Sequence, residues 1–389
     1  MHILTINAGS SSLKAKYFSN FQEIVSILIE EISSDSSKAT LKYNFQTFSI
    51  IQNIPTHKEA LTVMEQLFKK ANISDKLLNL DIIAHRIVHG GALYYKPTRI
   101  TPKVITKLKS ISQLAPLHNP INIKVIEIFL HKFNVAQFAI FDTAFHHTIP
   151  RYASSYAIPD NISKQYHIKK YGFHGISYAY ITYQISKFLN ISQENINVIA
   201  LHLGNGASIT AIKDGKSIDT SMGITPLSGL IMGSRCGDID ASIIPYLASH
   251  GYDIDKIDDI LNHQSGLKSL CGTNDFRKIS QMYYDNNPQA IKAIDMYVYK
   301  IVKYIGSYAI LLDRIDAIVF SGGIGENSSL LRELVINKIP SFLNTTLDKD
   351  KNNQKINTPT FISTHSSHIP IVVIPTNEEL QMVRYVMSM

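Results

Sequence analysis

The residues with the clearest chemical potential sit in two short turns about half a chain apart. Asn7-Ala8-Gly9-Ser10-Ser11-Ser12 follows the apolar run Ile3-Leu4-Thr5-Ile6. Gly204-Asn205-Gly206-Ala207-Ser208 follows Val198-Ile199-Ala200-Leu201-His202-Leu203. Each turn leads into a second run, Leu13 to Tyr17 and Ile209 to Ile212, so each copy reads as strand, tight turn, strand. Glycine lets the backbone approach an anion closely, and successive main-chain N–H groups in such a turn form a nest for phosphate. Two such loops from two similar halves predict a nucleoside triphosphate held between them.

A third glycine segment, Ser321-Gly322-Gly323-Ile324-Gly325-Glu326-Asn327, follows the apolar run Ala317 to Phe320 and precedes a helix expected from about Ser329. A helix N-terminus after a glycine turn favours phosphate, although this segment lacks the G-x-x-x-x-G-K-[ST] spacing. Arg86 follows a buried strand, and Arg235 lies in Met232-Gly233-Ser234-Arg235-Cys236-Gly237-Asp238. A guanidinium presents a fork matching phosphate or carboxylate oxygens, though either arginine could equally serve a structural ion pair. His174 is flanked by glycines at 172 and 175, and a lone histidine of this kind is also read as a satisfied structural residue. Asp142 ends a strand, where ligand crevices of α/β sheets form. Asn7 and Glu378 are oxygen donors suited to Mg²⁺. His85 and His89 are four apart but follow a strand and lack the intervening Glu, so no zinc helix is expected there, and none at His146-His147.

The elements that must position these groups alternate strand and helix. Strands are expected at Leu41 to Phe45, Leu80 to Ala84, Gln137 to Phe141, Ala317 to Phe320 and Pro370 to Ile374. Helices are expected at His57 to Lys70, near Thr101 to Ser112, at Ile121 to Phe133, through roughly 240–263 and 287–312, and at the C-terminus. The fold class is α/β, with domains at 1–148 and 149–377 and a terminal helix, about 378–389, packing back on the first. The chain has 389 residues, 45% hydrophobic and 18% charged, as expected of a globular protein of two domains. No apolar run reaches the roughly 18 residues of a membrane span. The charge of +7 comes from scattered lysines, so nucleic-acid binding is not expected. Two cysteines, Cys236 and Cys271, exclude a disulfide framework and agree with a cytoplasmic location.

Taken together, these segments resemble the acetate kinase family, within the acetate and sugar kinase, chaperone and actin superfamily. The matching stretches are INAGSSSLK (6–14), HRIVHGG (85–91), APLHNP (115–120), FDTAFHHTIP (141–150), YGFHGIS (171–177), HLGNGASI (202–209), GKSIDTSMGITPLSGLIMGSRCGDID (215–240), DFR (275–277), SGGIGENS (321–328) and PTNEE (375–379). The resemblance implies two similar actin-like (ribonuclease H-like) domains with the active site in the cleft between them. It implies reversible phosphorylation of acetate to acetyl phosphate by ATP, with Mg²⁺ (or Mn²⁺ in its place), in a homodimer that binds neither nucleic acid nor membrane. Carried over by position, Arg86 and Arg235 grip the acyl and phosphoryl groups, Asp142 is the catalytic acid residue, as base or positioner, and His174 and His118 contact the reacting groups. Val88, Leu117, Phe173 and Pro226 line the pocket for the methyl group. Lys14, His202, Leu203, Gly204, Asn205, Gly206, Asp275, Phe276, Arg277, Gly323, Ile324, Gly325, Glu326 and Asn327 bind ATP, and Asn7 and Glu378 hold the metal.

Departures from the family pattern fall at Ile176 and Tyr178, where Thr and His are usual, and at Ser228, Cys236 and Ala241; they are expected to bear on local packing alone. Competing readings are a kinase of propionate or butyrate, a sugar or glycerol kinase, and a nucleotide-switch protein. A carboxylate is a nucleophile near neutral pH and needs no strong base, whereas a sugar hydroxyl does. The arginine pair and His174 favour chemistry over a switch.

Overall fold

A computed structural model describes residues 1–389. The chain forms two compact units, Met1–Ala144 with Asn377–Met389, and Phe145–Thr376.

The first unit carries strands β1 (His2–Ala8), β2 (Leu13–Ser19), β3 (Gln22–Glu30), β4 (Ser37–Tyr43), β5 (Gln46–Gln52), β6 (Ile82–Ile87), β7 (Thr98–Arg99) and β8 (Ala136–Phe141). They form one sheet in the order β5-β4-β3-β2-β1-β6-β8-β7. The first five are an antiparallel meander, while β1, β6 and β8 run parallel. β3 alternates strictly, burying Val25, Ile27 and Ile29 and exposing Leu28 and Glu30, as a sheet covered on one face requires. The cover includes the helix His57–Lys70, whose buried Ala60, Leu61, Met64, Leu67 and Phe68 join that core. Thr56 starts the helix by accepting from the Lys58 N–H. Central β1 is buried at Ile3, Leu4, Thr5 and Ile6, and the helices Asn119–Lys132 and Glu378–Met387 both pack on β1 and β6. The last helix therefore completes the unit formed by the first residues of the chain.

The second unit repeats the plan with β9 (Val198–Leu203), β10 (Ala207–Lys213), β11 (Lys216–Thr220), β12 (Ala317–Ser321), β13 (Thr360–Phe361) and β14 (Ile371–Val373). The order is β11-β10-β9-β12-β14-β13, with β9, β12 and β14 parallel. In both sheets an antiparallel meander feeds a parallel trio, and the candidate residues gather at the carboxyl ends of those parallel strands.

Three differences from the sequence reading have physical causes. The glycine segment after β12 is not a loop: Gly322–Asn327 is a short helix, closed at its start because the Glu326 carboxylate accepts the Gly322 N–H at 2.9 Å. The helix Gly175–Leu189 was unanticipated because it is buried around most of its circumference, including Ser177 and Thr182, so no amphipathic stripe marks it. β3 and β5 flank the strand expected near Leu41, joined to it by turns in which Glu31, Ser33, Asn44 and Phe45 take positive φ in place of glycine.

Candidate active site

In the first unit the chemistry converges on Arg86, at the end of β6. Asp142, just beyond β8 and 2% exposed, accepts Arg86 Nε through Oδ1 and Oδ2 at 3.1 and 3.0 Å and Nη2 through Oδ2 at 2.5 Å. Arg86 Nη1 donates to Asn7 Oδ1 at 3.1 Å and lies 3.8 Å from Glu378 Oε2. Burial opposes the guanidinium's charge, but the Asp142 and Glu378 carboxylates outweigh it and hold its pKa above the ordinary value. Asn7, Arg86, Asp142 and Glu378, four candidates spread over nearly the whole sequence, thus form one cluster. Asn7 and Glu378 are hard oxygen donors with a single carboxylate between them, and nowhere do three or more His, Cys, Asp or Glu gather to cage a metal. Such a donor set fits Mg²⁺, which takes one or two carboxylates and fills its sphere with phosphate and water oxygens.

The loop after β6 is held by two asparagines of the helix Asn119–Lys132. Asn119 accepts the His89 N–H at 3.1 Å and donates to the His89 carbonyl at 2.9 Å; Asn122 accepts the Val88 N–H at 3.2 Å and donates to the Ala8 carbonyl at 2.9 Å. Asn122 therefore ties the Asn7 turn to the Arg86 loop, a role sequence reading did not find. His118 precedes this helix as its N-cap, Val88 is half-buried, and Leu117 is exposed. Lys14, expected on ATP, pairs with Glu379 at 2.7 Å. The lysine charges hold the buried Glu379 carboxyl below its usual range against the opposing effect of burial. His85 belongs to strand β6 and is engaged by Gln137 Oε1 at 2.8 Å.

In the second unit His174 occupies the N-cap of the helix Gly175–Leu189 with φ 58° and ψ 21°, a left-handed conformation a histidine adopts only when its surroundings impose it. The residue before it is held by His146, whose Nε2 lies 2.9 Å from the Phe173 carbonyl and whose Nδ1 lies 2.8 Å from Ser217 Oγ. Burial pulls the His146 pKa down to about 4. His174 Nδ1 sits 2.9 Å from Ser208 Oγ, and its ring stacks on His202 at 4.3 Å. The other ring nitrogen faces the Gly206 turn: a Cβ placed on Gly206 would stand 3.4 Å from His174 Nε2 and 3.7 Å from Arg235 Nη1. Glycine here leaves the space of a side chain open beside the imidazole and the guanidinium. Arg235 makes no ion pair; its Nη1 donates to the Pro226 carbonyl at 3.1 Å, and burial lowers its pKa. Phe173 is buried and Pro226 half-buried in this unit, whereas Val88 and Leu117 belong to the first.

A pocket of about 620 Å³ opens beside these loops, lined by Asp275, Phe276, Arg277, Gly323, Ile324 and Asn327 together with Ser280, Tyr284 and Ser328. The last three were not anticipated. Glu326 does not line this pocket; its carboxylate accepts the main-chain N–H groups of Gly322 and Thr376, both at 2.9 Å, and so fixes the loop. Arg332, 1% exposed, donates to the Gly325 and Glu326 carbonyls and to Asn352, and burial pulls its guanidinium down to about 10. At Gly322, φ is 78° and a Cβ would meet the Leu203 carbonyl oxygen at 2.7 Å, so the turn requires glycine.

Residues 2–384 match the model of the Acetokinase family. The chain belongs to that family. It is 44% identical over 386 residues to the acetate kinase of Sulfurovum sp. (strain NBC37-1), covering 99% of this chain and 98% of the relative. Identity is also 44% over 389 residues, with the same coverage, to the acetate kinase of Campylobacter jejuni. Among solved structures, a propionate kinase from Francisella tularensis superposes with a TM-score of 0.93 at 39% identity, covering 99% of this chain and 98% of that one. Porphyromonas gingivalis acetate kinase gives 0.92 at 32% identity, covering 100% and 99%. As an acetokinase, this α/β chain has the two-domain actin-like fold and is a phosphotransferase with a carboxyl acceptor.

Proposed function

We propose that this acetokinase transfers the terminal phosphoryl group of ATP to acetate, reversibly and with Mg²⁺, giving acetyl phosphate and ADP. One acetate oxygen forms a bond to phosphorus while the bond to the bridging oxygen breaks, and its electron pair leaves with ADP. The observation that carries the reading is the Gly206 turn, where His174 Nε2 and the counter-ion-free Arg235 converge on a position left without a side chain. There the imidazole and guanidinium stabilise charge on the transferring group. Arg86 holds the acetate carboxylate, and Asp142 acts by positioning Arg86, since both its oxygens are occupied by that guanidinium. Asn7 and Glu378 would hold Mg²⁺, which would supply neutralisation of phosphate charge. The nucleotide base and ribose occupy the pocket at Asp275–Arg277 and Gly323–Asn327.

Trapping the product with hydroxylamine across acetate, propionate, butyrate and several sugars tests this. Hydroxamate from acetate at the highest kcat/KM is expected; none from any acid would refute it, and higher kcat/KM with propionate would favour the second reading, for which the 39% identical propionate kinase speaks. We also propose a cytoplasmic homodimer. The helix Ile243–Ser249 buries none of its residues, and Ile239, Ile243, Ile244, Tyr246, Tyr252 and Ile254 are exposed together. A second copy covering this apolar face predicts a dimer in sedimentation, and Tyr246→Lys a shift toward monomer.

A further inference from the structure

Tyr178 stands four residues after His174 on the same helix and is completely buried. As one of the departures from the family pattern it was expected to matter for packing alone. Its ring does pack, edge-on to His146 with centroids 5.6 Å apart. Its hydroxyl does more. The phenol oxygen lies 2.6 Å from Ser208 Oγ, and that same Oγ lies 2.9 Å from His174 Nδ1. Ser208 is on β10, directly opposite His202, so the sheet itself fixes where this hydroxyl stands.

A serine hydroxyl has one proton to give, and the direction of the chain follows from the chemistry of its ends. A phenol is a stronger O–H donor and a weaker acceptor than an aliphatic alcohol. Burial pushes the Tyr178 pKa up to about 12, so the proton is present throughout neutral pH. Tyr178 therefore donates to Ser208 Oγ, and Ser208 donates onward to His174 Nδ1. An imidazole that accepts at Nδ1 carries its own proton at Nε2, the nitrogen that faces the Gly206 turn.

We propose that Tyr178, acting through Ser208, is a positioning residue that holds His174 as the neutral Nε2–H tautomer and presents that N–H as a donor to the transferring phosphoryl group. The proposal rests on the phosphotransferase reading above for its consequence, and on the two hydrogen-bond distances together with the donor strength of a phenol for the tautomer. Arg235 then supplies the fixed positive charge and His174 a directed hydrogen bond.

The test uses the full chain labelled with ¹⁵N-histidine, the His174 signals being assigned by their loss in His174→Gln. In the wild type, Nδ1 is expected to resonate as unprotonated and Nε2 as protonated at about pH 8, where an ordinary histidine is neutral. Tyr178→Phe keeps the ring against His146 and removes one oxygen; Ser208→Ala removes the relay. Both are expected to raise the population of the Nδ1–H or doubly protonated form. Both should lower kcat roughly tenfold, short of the ~100-fold cost of losing a preorganised donor outright, while KM for ATP and acetate stays within about twofold. A merely structural role would lower thermal stability and leave tautomer and kcat per folded molecule unchanged; that result, or a protonated Nδ1 in the wild type, overturns the proposal. Should the wild type phosphorylate no acid while showing the expected tautomer, the functional reading fails and the relay stands.

Discussion

Two buried histidines make the stability of this chain depend on pH in a way that can be worked through. His85 is 2% exposed, held at Nε2 by Gln137 and edge-on to Phe129; His146 is 3% exposed, held by Ser217 and the Phe173 carbonyl. Burial pulls the pKa of each down to about 4. In the unfolded chain both titrate near 6.5. Between those values the unfolded chain binds protons that the folded chain refuses, so stability is full above about pH 6.5 and falls as the pH drops toward 4. The slope is about 1.4 kcal/mol per pH unit for each histidine, and the whole window costs about 3 kcal/mol apiece.

The perturbation is His85→Gln, and separately His146→Gln, each retaining an amide that can meet the same partners. Either variant has its own packing cost at pH 7, but that cost is constant and leaves the slope untouched. Urea unfolding followed by circular dichroism at half-unit steps from about pH 7 to 4.5 should show each substitution removing about 1.4 kcal/mol per pH unit from the wild-type slope. Since His85 and His146 belong to different units, each variant should flatten the transition of its own unit. An unchanged slope in both variants would refute the reasoning, for it would mean that neither site excludes a proton on folding. Acid inactivation should track His146, because protonating it sets a second N–H against Ser217 and disturbs the Phe173 carbonyl immediately before His174.

Asp142→Asn turns an amide NH₂ toward Arg86 and frees the guanidinium; kcat in the hydroxamate assay should fall by roughly 100-fold in a folded protein, and wild-type turnover would show that Asp142 does not position Arg86. Glu378→Ala should raise the Mg²⁺ concentration for half-maximal activity by about tenfold or more, and an unchanged titration would remove Glu378 from the metal site. Val88→Ala should shift the ratio of kcat/KM toward propionate by the ~1–3 kcal/mol of one methylene, and an unchanged ratio would take Val88 out of the acyl pocket.

What could be read in the sequence was what the backbone demands locally. The turns after β1 and β9 are legible because only glycine and small hydroxylated residues permit such a close turn, and the parallel strands because their apolar runs are continuous. The pairing of Arg86 with Asp142 was not legible, since the partners are 56 residues apart and each is explained by a different local feature. The bracing role of Glu326 was hidden for a related reason: its carboxylate serves main-chain N–H groups at 322 and 376, partners that its own glycine segment does not announce. Tyr178 shows the same limit. Its helix position makes it look like core, and only the register of β10 brings the Ser208 hydroxyl to its oxygen.

The two arginines differ in a way that accounts for the expected need for a metal. Arg235 meets no carboxylate, so the Gly206 turn carries a net positive charge available to a phosphoryl group. Arg86 is shared between Asp142 and Glu378; one cation against two carboxylates leaves the cluster with a formal charge of −1. Acetate and phosphate are both anions, and such a cluster repels them when alone. On the reading proposed above, a divalent cation held by Asn7 and Glu378 would change −1 to +1 and would let Arg86 turn a fork toward the acid without an uncompensated acidic neighbour. The acidic excess that looks unfavourable for an anionic substrate would then tie acid binding to metal binding. Glu378→Gln, which brings the cluster to zero without a metal, should accordingly bind acetate more tightly than the wild type when Mg²⁺ is absent and lose the gain in affinity that Mg²⁺ confers. Equal acetate affinity of the two proteins without Mg²⁺, measured by calorimetry, would show that cluster charge does not govern binding of the acid.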